Sequence, residues 1–262
     1  TYIIVWTTTP WTLPMNMAVC VNEDINYVYY MTESGEIHVI GEGSEDQFTH
    51  ITTPLKTVKG KELVGRRYEP LYKFMDSEFR IFSDDYVQPP SDETGTGLVH
   101  MAPGFGLDDH RVCEMNGMDL SDICPVNMDG TYTDRISTYQ GRLVFDCSKD
   151  ILKELEDVIV RKKVIRHNYP HCWRSDTPLI YMAVSSVKIK VSSLVDRLIE
   201  LNNKITWYPD YMGKNKFGNW LSDAKDWNVS RNRQWGTPIP FYKNNEGNII
   251  CIESVKQLES YC

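Results

Sequence analysis

Thr7, Thr8 and Thr9 stand in a row between Trp6 and Pro10, and a second proline, Pro14, follows Trp11-Thr12-Leu13. Three consecutive hydroxyls make a poor core but a good array of donors and acceptors, able to bond a carbonyl oxygen and to orient a water. The prolines fix φ and withhold an N–H, so a strand entering this segment cannot continue its ladder through it. A threonine hydroxyl becomes a nucleophile only beside an activating base. No Lys, His or terminal amine adjoins these three in sequence, so positioning a water is the chemistry they suit. Complementary groups come later: Gly95-Thr96-Gly97-Leu98-Val99-His100-Met101-Ala102-Pro103 brings one imidazole, and Asp108-Asp109 brings two carboxylates that can hold a cation. A lone His on a strand commonly serves as a hydrogen-bonded structural residue. An Asp at a helix start commonly satisfies orphan N–H groups. Two adjacent Asp let one cap while the other faces a pocket, and the sequence leaves open which does which.

Strands must hold these groups. The runs Tyr2–Trp6, Ala18–Val21, Tyr27–Met31, Glu36–Ile40 and Gly97–Ala102 are β-branched or alternating, with turn chemistry such as Glu33-Ser34-Gly35 and Gly41-Glu42-Gly43 between them. At the end of an alternating strand only two of three threonines share a face, so Thr7 and Thr9 are expected to differ in role from Thr8. His100 shares a face with Leu98 and Ala102. Helices are fewer. Between Lys149 and Lys163, Ile151, Leu152, Leu155, Val158 and Ile159 form one apolar stripe. Ser192-Ser193 can cap a helix carrying Leu194, Val195, Leu198 and Leu201 and ending at Asn202 or Asn203. A short helix is expected from Asp108 or Asp109 to Gly117. The pattern predicts an α+β fold, a closed β-barrel-like domain decorated with helices, over residues 1–203. Residues 204–262, rich in Trp, Asn and Lys, read as an appendage or return segment.

The threonine run and the Gly95–Pro103 segment with its two Asp together resemble the signature of the editing domain of the isoleucyl-, valyl- and leucyl-tRNA synthetases. Two further stretches narrow the match: Tyr169-Pro170-His171-Cys172-Trp173-Arg174-Ser175-Asp176-Thr177-Pro178, and Phe217-Gly218-Asn219-Trp220 running to Ser230-Arg231-Asn232-Arg233-Gln234-Trp235-Gly236-Thr237-Pro238-Ile239-Pro240. The four ordered motifs span nearly the whole chain and are most similar to the isoleucyl type of eukaryotic cytosol. The resemblance implies hydrolysis of the aminoacyl ester of mischarged valyl-tRNA(Ile), and of valyl-adenylate, by a positioned water aided by the vicinal ribose hydroxyl. It implies catalytic roles for Thr7, Thr8, Thr9 and Asp109, the last holding the substrate ammonium. Trp11, Asn16, His100 and Tyr169 are implied substrate-binding residues, with His100 limiting side-chain size. The implied partners are the 3′ aminoacyl end of tRNA and the rest of the parent synthetase, with no cofactor. Ser185-Ser186-Val187-Lys188-Ile189-Lys190 departs from the family, which usually carries a Trp-Phe pair there, and so puts in doubt the packing near the return to the catalytic core.

Bulk properties bound the alternatives. The 262 residues are 41% hydrophobic, enough for a real core. With no initiator Met, no signal peptide and no membrane-length apolar run, the chain reads as a piece of a longer cytoplasmic protein, monomeric as a fragment. Seven cysteines, scattered and never spaced Cys-x-x-Cys, argue against a disulfide framework. His167 and His171 flank Cys172 without a second Cys nearby, so no metal site is expected. The net charge of −8 hides an asymmetry: residues 1–160 hold 12 Lys/Arg against 27 Asp/Glu, and residues 161–262 hold 16 against 9. The basic part, with Arg161-Lys162-Lys163 and Arg166, leaves one face that could touch a polyanion. The class I His-Ile-Gly-His and Lys-Met-Ser-Lys-Ser signatures are absent, so amino-acid activation is not expected of these residues. Competing readings are a threonine-editing domain of the valyl type and a non-catalytic tRNA-docking module.

Overall fold

The structure, a computed structural model, describes residues 1–91, 95–165, 168–231 and 238–262. Arg166, His167 and the part of the last motif from Asn232 to Thr237 lie outside the described residues. The chain divides into two compact units, Thr1–Ala183 and Val184–Cys262, ahead of the boundary expected after residue 203. The cause lies in the helix Val195–Asn202, whose last residue is tied to the segment after it. Asn202 Nδ2 donates to the Gly213 carbonyl at 3.0 Å, and Trp207 Nε1 donates to Asn202 Oδ1 at 2.9 Å.

Among its described residues the first unit holds seven strands: β1 (Tyr2–Ile3), β2 (Ala18–Val21), β3 (Asn26–Thr32), β4 (Ile37–Gly41), β5 (Ile51–Lys59), β6 (Arg80–Ser83) and β7 (Val99–Met101). They form a four-stranded sheet in the order β1-β4-β3-β5 and a three-stranded sheet in the order β6-β2-β7. The fold is α+β, but among the described residues the sheets are open and no closed barrel forms. The β3–β5 ladder shifts register between Tyr29 and Tyr30 and again between Met31 and Thr32. Pro54, which has no N–H to give, sits on β5 at the sheet edge. The two sheets meet along a seam instead. Ile4 N–H donates to Val39 of the larger sheet at 3.1 Å, whereas Trp6 N–H donates to Leu98 beside the smaller one at 3.4 Å. The expected strand Tyr2–Trp6 is therefore a crossing from one sheet to the other, with Trp6 bridging Val99 in parallel.

All four residues of β2 are buried because both of its faces are covered. Val19 and Val21 pack with Tyr27, Val39 and Leu98, while Ala18 and Cys20 pack with Phe82, Met101, Val112 and Cys113. A third core joins Trp11, Leu13 and Met15, from a 3-10 turn over Pro10–Met15, to Tyr132, Val144, Cys147 and Ile151. The first two helices are α1 (Leu107–Met115) and α2 (Val144–Glu154). α1 ends before Gly117, as expected, with that glycine at φ 72°. α2 begins earlier than the expected Lys149 and buries Val144, Cys147 and Ile151, one turn apart. It stops at Glu154, and a 3-10 turn over Glu156–Val158 follows, so the expected stripe to Lys163 is not one helix.

The second unit contains β8 (Lys188–Ile189) paired with β9 (Trp227–Asn228), α3 (Val195–Asn202), α4 (Gly218–Ser222), a hairpin of β10 (Phe241–Lys243) and β11 (Ile249–Cys251), and α5 (Val255–Tyr261). Its helix α3 ends where expected, while Ser193 bonds back to the Lys190 carbonyl rather than capping it. Among the described residues no two cysteines form a disulfide. Among the described residues no helix is long and apolar enough to cross a membrane.

Candidate active site

The threonine run is a bend, not a strand end. Thr9 N–H donates to Thr7 Oγ1 at 3.0 Å, so the Thr7 side chain closes a local turn that competes with the ladder. Pro10 then opens the 3-10 turn, a position where a missing N–H costs nothing. Thr12 sends both its backbone N–H (2.9 Å) and its hydroxyl (2.8 Å) to the Thr9 carbonyl. The hydroxyls of Thr7 and Thr9 lie 3.4 Å apart and those of Thr9 and Thr12 3.2 Å apart. Thr8 is exposed while Thr7 and Thr9 are half-buried. It is the bend, not strand alternation, that separates the exposure of Thr8 from that of Thr7 and Thr9.

β7 places His100 opposite Val19 of β2, where only 7% of it is exposed. Its Nε2 is 3.0 Å from Thr12 Oγ1 and its Nδ1 is 2.8 Å from Asn16 Nδ2. Burial lowers the imidazole to about 4, so the ring is neutral at neutral pH. Asp109 lies in the first turn of α1, and its Oδ2 accepts the Ala102 N–H at 2.8 Å. Burial raises its carboxyl to about 6; the Ala102 bond draws it partly back and the neighbouring charge of Asp108 adds to the rise. A Cβ on Gly106 would come within 2.7 Å of the Asp109 carboxyl carbon, so glycine there gives the carboxylate its space. Asp108 is exposed and pairs with Arg111 at 3.2 Å. Arg111 in turn grips Asp84 through two bonds of 2.8 Å. Neither Asp caps the helix through its side chain, since the N-cap is Gly106. Asp109 is the member that faces inward.

These groups line one cavity of about 290 Å³. Thr7, Thr8, Thr9, His100 and Asp109 converge there from the threonine run, from β7 and from the first turn of α1. Its wall also includes Thr12, Thr96, Gln88 and Phe105, which sequence reasoning missed. Thr12 was findable: a proline-opened turn puts the third residue after Thr9 back on the same side. Trp11 and Tyr169 are not on the wall. Trp11 follows Pro10 onto the core side of the turn, 5% exposed, and its ring backs Phe105 edge-on at 5.4 Å. The Tyr169 hydroxyl donates to the Leu179 carbonyl at 2.9 Å, and its ring meets Phe145, 6.1 Å away. Asn16 is buried behind His100.

The cavity has one anionic end, a cluster of neutral hydroxyls and a neutral imidazole, and no Lys or Arg among its lining residues. That suits a ligand with an ammonium and uncharged oxygens. Among the described residues no three His, Cys, Asp or Glu side chains group to hold a metal ion.

Residues 2–261 match the family model described as tRNA synthetases class I (I, L, M and V). The chain is 41% identical over 270 residues to isoleucine-tRNA ligase of Chlamydia pneumoniae, covering 98% of this chain and 25% of that protein. It is 39% identical over 274 residues to the cytoplasmic isoleucine-tRNA ligase of Mus musculus, covering 99% and 22%. Among solved structures, the P. knowlesi cytosolic leucyl-tRNA synthetase editing domain aligns with 60% of this chain and 81% of its own, at a TM-score of 0.42 and 14% identity. The chain thus spans about a quarter of the length of the curated relatives it matches. Since the family model runs from the second residue almost to the last, the chain belongs to the class I tRNA synthetases of the I, L, M and V group.

Proposed function

We propose that this chain is the editing domain of an isoleucyl-tRNA synthetase, and that its cavity hydrolyses the ester joining valine to mischarged tRNA(Ile), with valyl-adenylate a second substrate. The observation that carries this reading is Asp109, a carboxylate on a cavity wall whose described residues include no Lys or Arg, facing a cluster of threonine hydroxyls. An α-ammonium docked there gains a charge-assisted bond of about 1.5–3 kcal/mol. His100, neutral above about pH 4, adds no charge to repel it. The threonine hydroxyls are placed to bond the ester carbonyl and to hold the attacking water. A synthetic pocket cannot exclude valine strongly, because one missing methylene is worth only about 1–3 kcal/mol, and a second pocket that rejects isoleucine by size multiplies the discrimination.

A deacylation assay in the full-length protein tests this. Valyl-tRNA(Ile) should be cleared and isoleucyl-tRNA(Ile) spared, and Asp109→Ala should abolish the clearance without unfolding the chain. For the wild type, kcat/KM should fall as pH drops through about 6, where the free carboxylate takes up its proton. The hydroxyl-rich wall also suits a substrate that carries its own hydroxyl. Preferential clearance of threonyl-tRNA(Val) would therefore replace the isoleucyl reading with the valyl one. Binding of aminoacyl-tRNA without hydrolysis would leave a docking module.

A further inference from the structure

A line of hydrogen bonds begins outside the cavity and ends inside it. Tyr68, on the segment between β5 and β6, donates its phenol hydrogen to Asn16 Oδ1 at 2.5 Å. Asn16 Nδ2 lies 2.9 Å from the Ala18 carbonyl and 2.8 Å from His100 Nδ1, with the Met101 carbonyl more distant at 3.5 Å. A carbonyl only accepts, so the amide nitrogen must face Ala18, and its two hydrogens go to Ala18 and to His100 Nδ1. His100 Nδ1 is therefore bare, and the neutral ring carries its one proton on Nε2.

The direction propagates. Nε2–H donates to Thr12 Oγ1 at 3.0 Å, and the Thr12 hydroxyl hydrogen is spent on the Thr9 carbonyl at 2.8 Å. The Thr9 hydroxyl is left to donate to Thr12 at 3.2 Å or Thr7 at 3.4 Å. Thr7 Oγ1 already accepts the Thr9 N–H, so its own hydrogen has no described acceptor nearer than the 3.4 Å of Thr9. Of the three bonded threonines, Thr7 is the one with a hydrogen to offer a ligand. Tyr68 does not line the cavity. It is held by its N–H to the Phe79 carbonyl at 3.0 Å and by an edge contact with the Phe79 ring at 6.0 Å. Phe79 itself sits at φ 50°, a left-handed conformation that a bulky residue keeps only where its surroundings impose it. Burial holds the Tyr68 phenol above the usual tyrosine range, which keeps it a donor.

We propose that Tyr68 is a positioning residue for the reaction: acting through Asn16, it holds His100 as the Nε2–H tautomer, so that the imidazole donates to Thr12 and leaves the Thr12 hydroxyl to fix the Thr9 carbonyl and with it the threonine turn on the cavity wall. This rests on the hydrolytic reading above, but two measurements separate them. Nitrogen-15 correlation spectra of the histidine-labelled chain should show His100 protonated on Nε2 and bare on Nδ1. In Tyr68→Phe, where Asn16 Oδ1 loses its donor, a second tautomer should appear. In the full-length protein, Tyr68→Phe should lower kcat for valyl-tRNA(Ile) about tenfold with KM little changed, the scale of one lost buried hydrogen bond. In a His100→Ala background the same change should have no further effect. A wild-type His100 protonated on Nδ1, a fully active Tyr68→Phe, or a loss that persists without His100 would each overturn the proposal. Should the wild type hydrolyse no aminoacyl-tRNA, the hydrolytic reading fails by itself, and the ring-nitrogen spectra still decide whether Tyr68 governs His100.

Discussion

A carboxyl raised by burial from its ordinary 3.8 to about 6, as that of Asp109 is, binds its proton more tightly folded than unfolded. Its contribution to stability therefore falls as pH rises through that window, amounting to a cost on the order of 1–3 kcal/mol at neutral pH. His100 runs the other way: lowered to about 4, it binds its proton less tightly folded, and its contribution falls as pH drops below its ordinary 6.5. The two slopes oppose each other in the native chain. Asp109→Asn keeps an oxygen for the Ala102 N–H but removes one of them. That variant is expected to lose valyl-tRNA(Ile) hydrolysis and to melt a few degrees higher at pH 7.5. Between pH 6.5 and 4 its melting temperature should decline more steeply than that of the wild type. Thermal melts across pH check this, and an unchanged melting temperature at pH 7.5 would mean that burial does not destabilise the carboxylate.

At the scale of elements, the site depends on where α1 starts. Gly106→Ala places a methyl against the Asp109 carboxyl. The residue's own φ of −133° is acceptable to alanine, so the damage should fall on the carboxylate rather than the backbone. Hydrolysis is expected to drop at least about tenfold, with a stability loss of roughly 1–3 kcal/mol from the crowding, read by kinetics and denaturant melts. Elements with two buried faces or a hard stop were legible beforehand. β2 was read at its true ends, and Gly117 closes α1 as expected. β5 was not read: it is an edge strand of mostly exposed residues interrupted by Pro54, so burial imposes no pattern on it. β6 is as short as β2 but buries only its middle pair, Ile81 and Phe82, so it shows none either. The site divides the same way. Thr7, Thr8, Thr9, His100 and Asp109 are unusual for their setting and stood out, and they line the cavity, whereas Asn16 and Trp11 lie one layer behind its wall. Tyr68 was invisible, since its bond to Asn16 spans 52 residues and no local spacing announces it.

For the whole molecule, every residue lining the cavity belongs to the first compact unit, while charge is distributed along the full length. Residues 1–160 carry a net −15 and residues 161–262 a net +7. Phosphate affinity comes from Lys and Arg releasing counterions, so the acidic stretch can contribute little to holding a tRNA body. A valyl-adenosine analogue, with little phosphate, is expected to bind this chain nearly as well as it binds the full-length protein. Intact tRNA should bind the chain far more weakly. Titrations of both ligands against both proteins at physiological salt check it. Equal tRNA affinity would make the basic second half a docking surface in its own right.

The seam between the sheets has a bearing on selectivity. Trp6 N–H reaches the Leu98 carbonyl, and Gly41 N–H reaches the carbonyl of Thr96 at 2.7 Å; Trp6, Leu98 and Thr96 are themselves wall residues. Gly41 can hardly yield, because a Cβ there would meet both Pro90 and the Thr96 carbonyl at 2.8 Å. The gap between these walls is thus gauged by main-chain bonds joining two sheets, as the jaws of a calliper are fixed by its frame rather than by what lines them. On the proposed function, the cavity must tell two aliphatic side chains apart by a single carbon, and that needs rigidity more than any one contact. Exchanging a lining side chain changes the fit at one point, whereas loosening the frame would blur every fit at once.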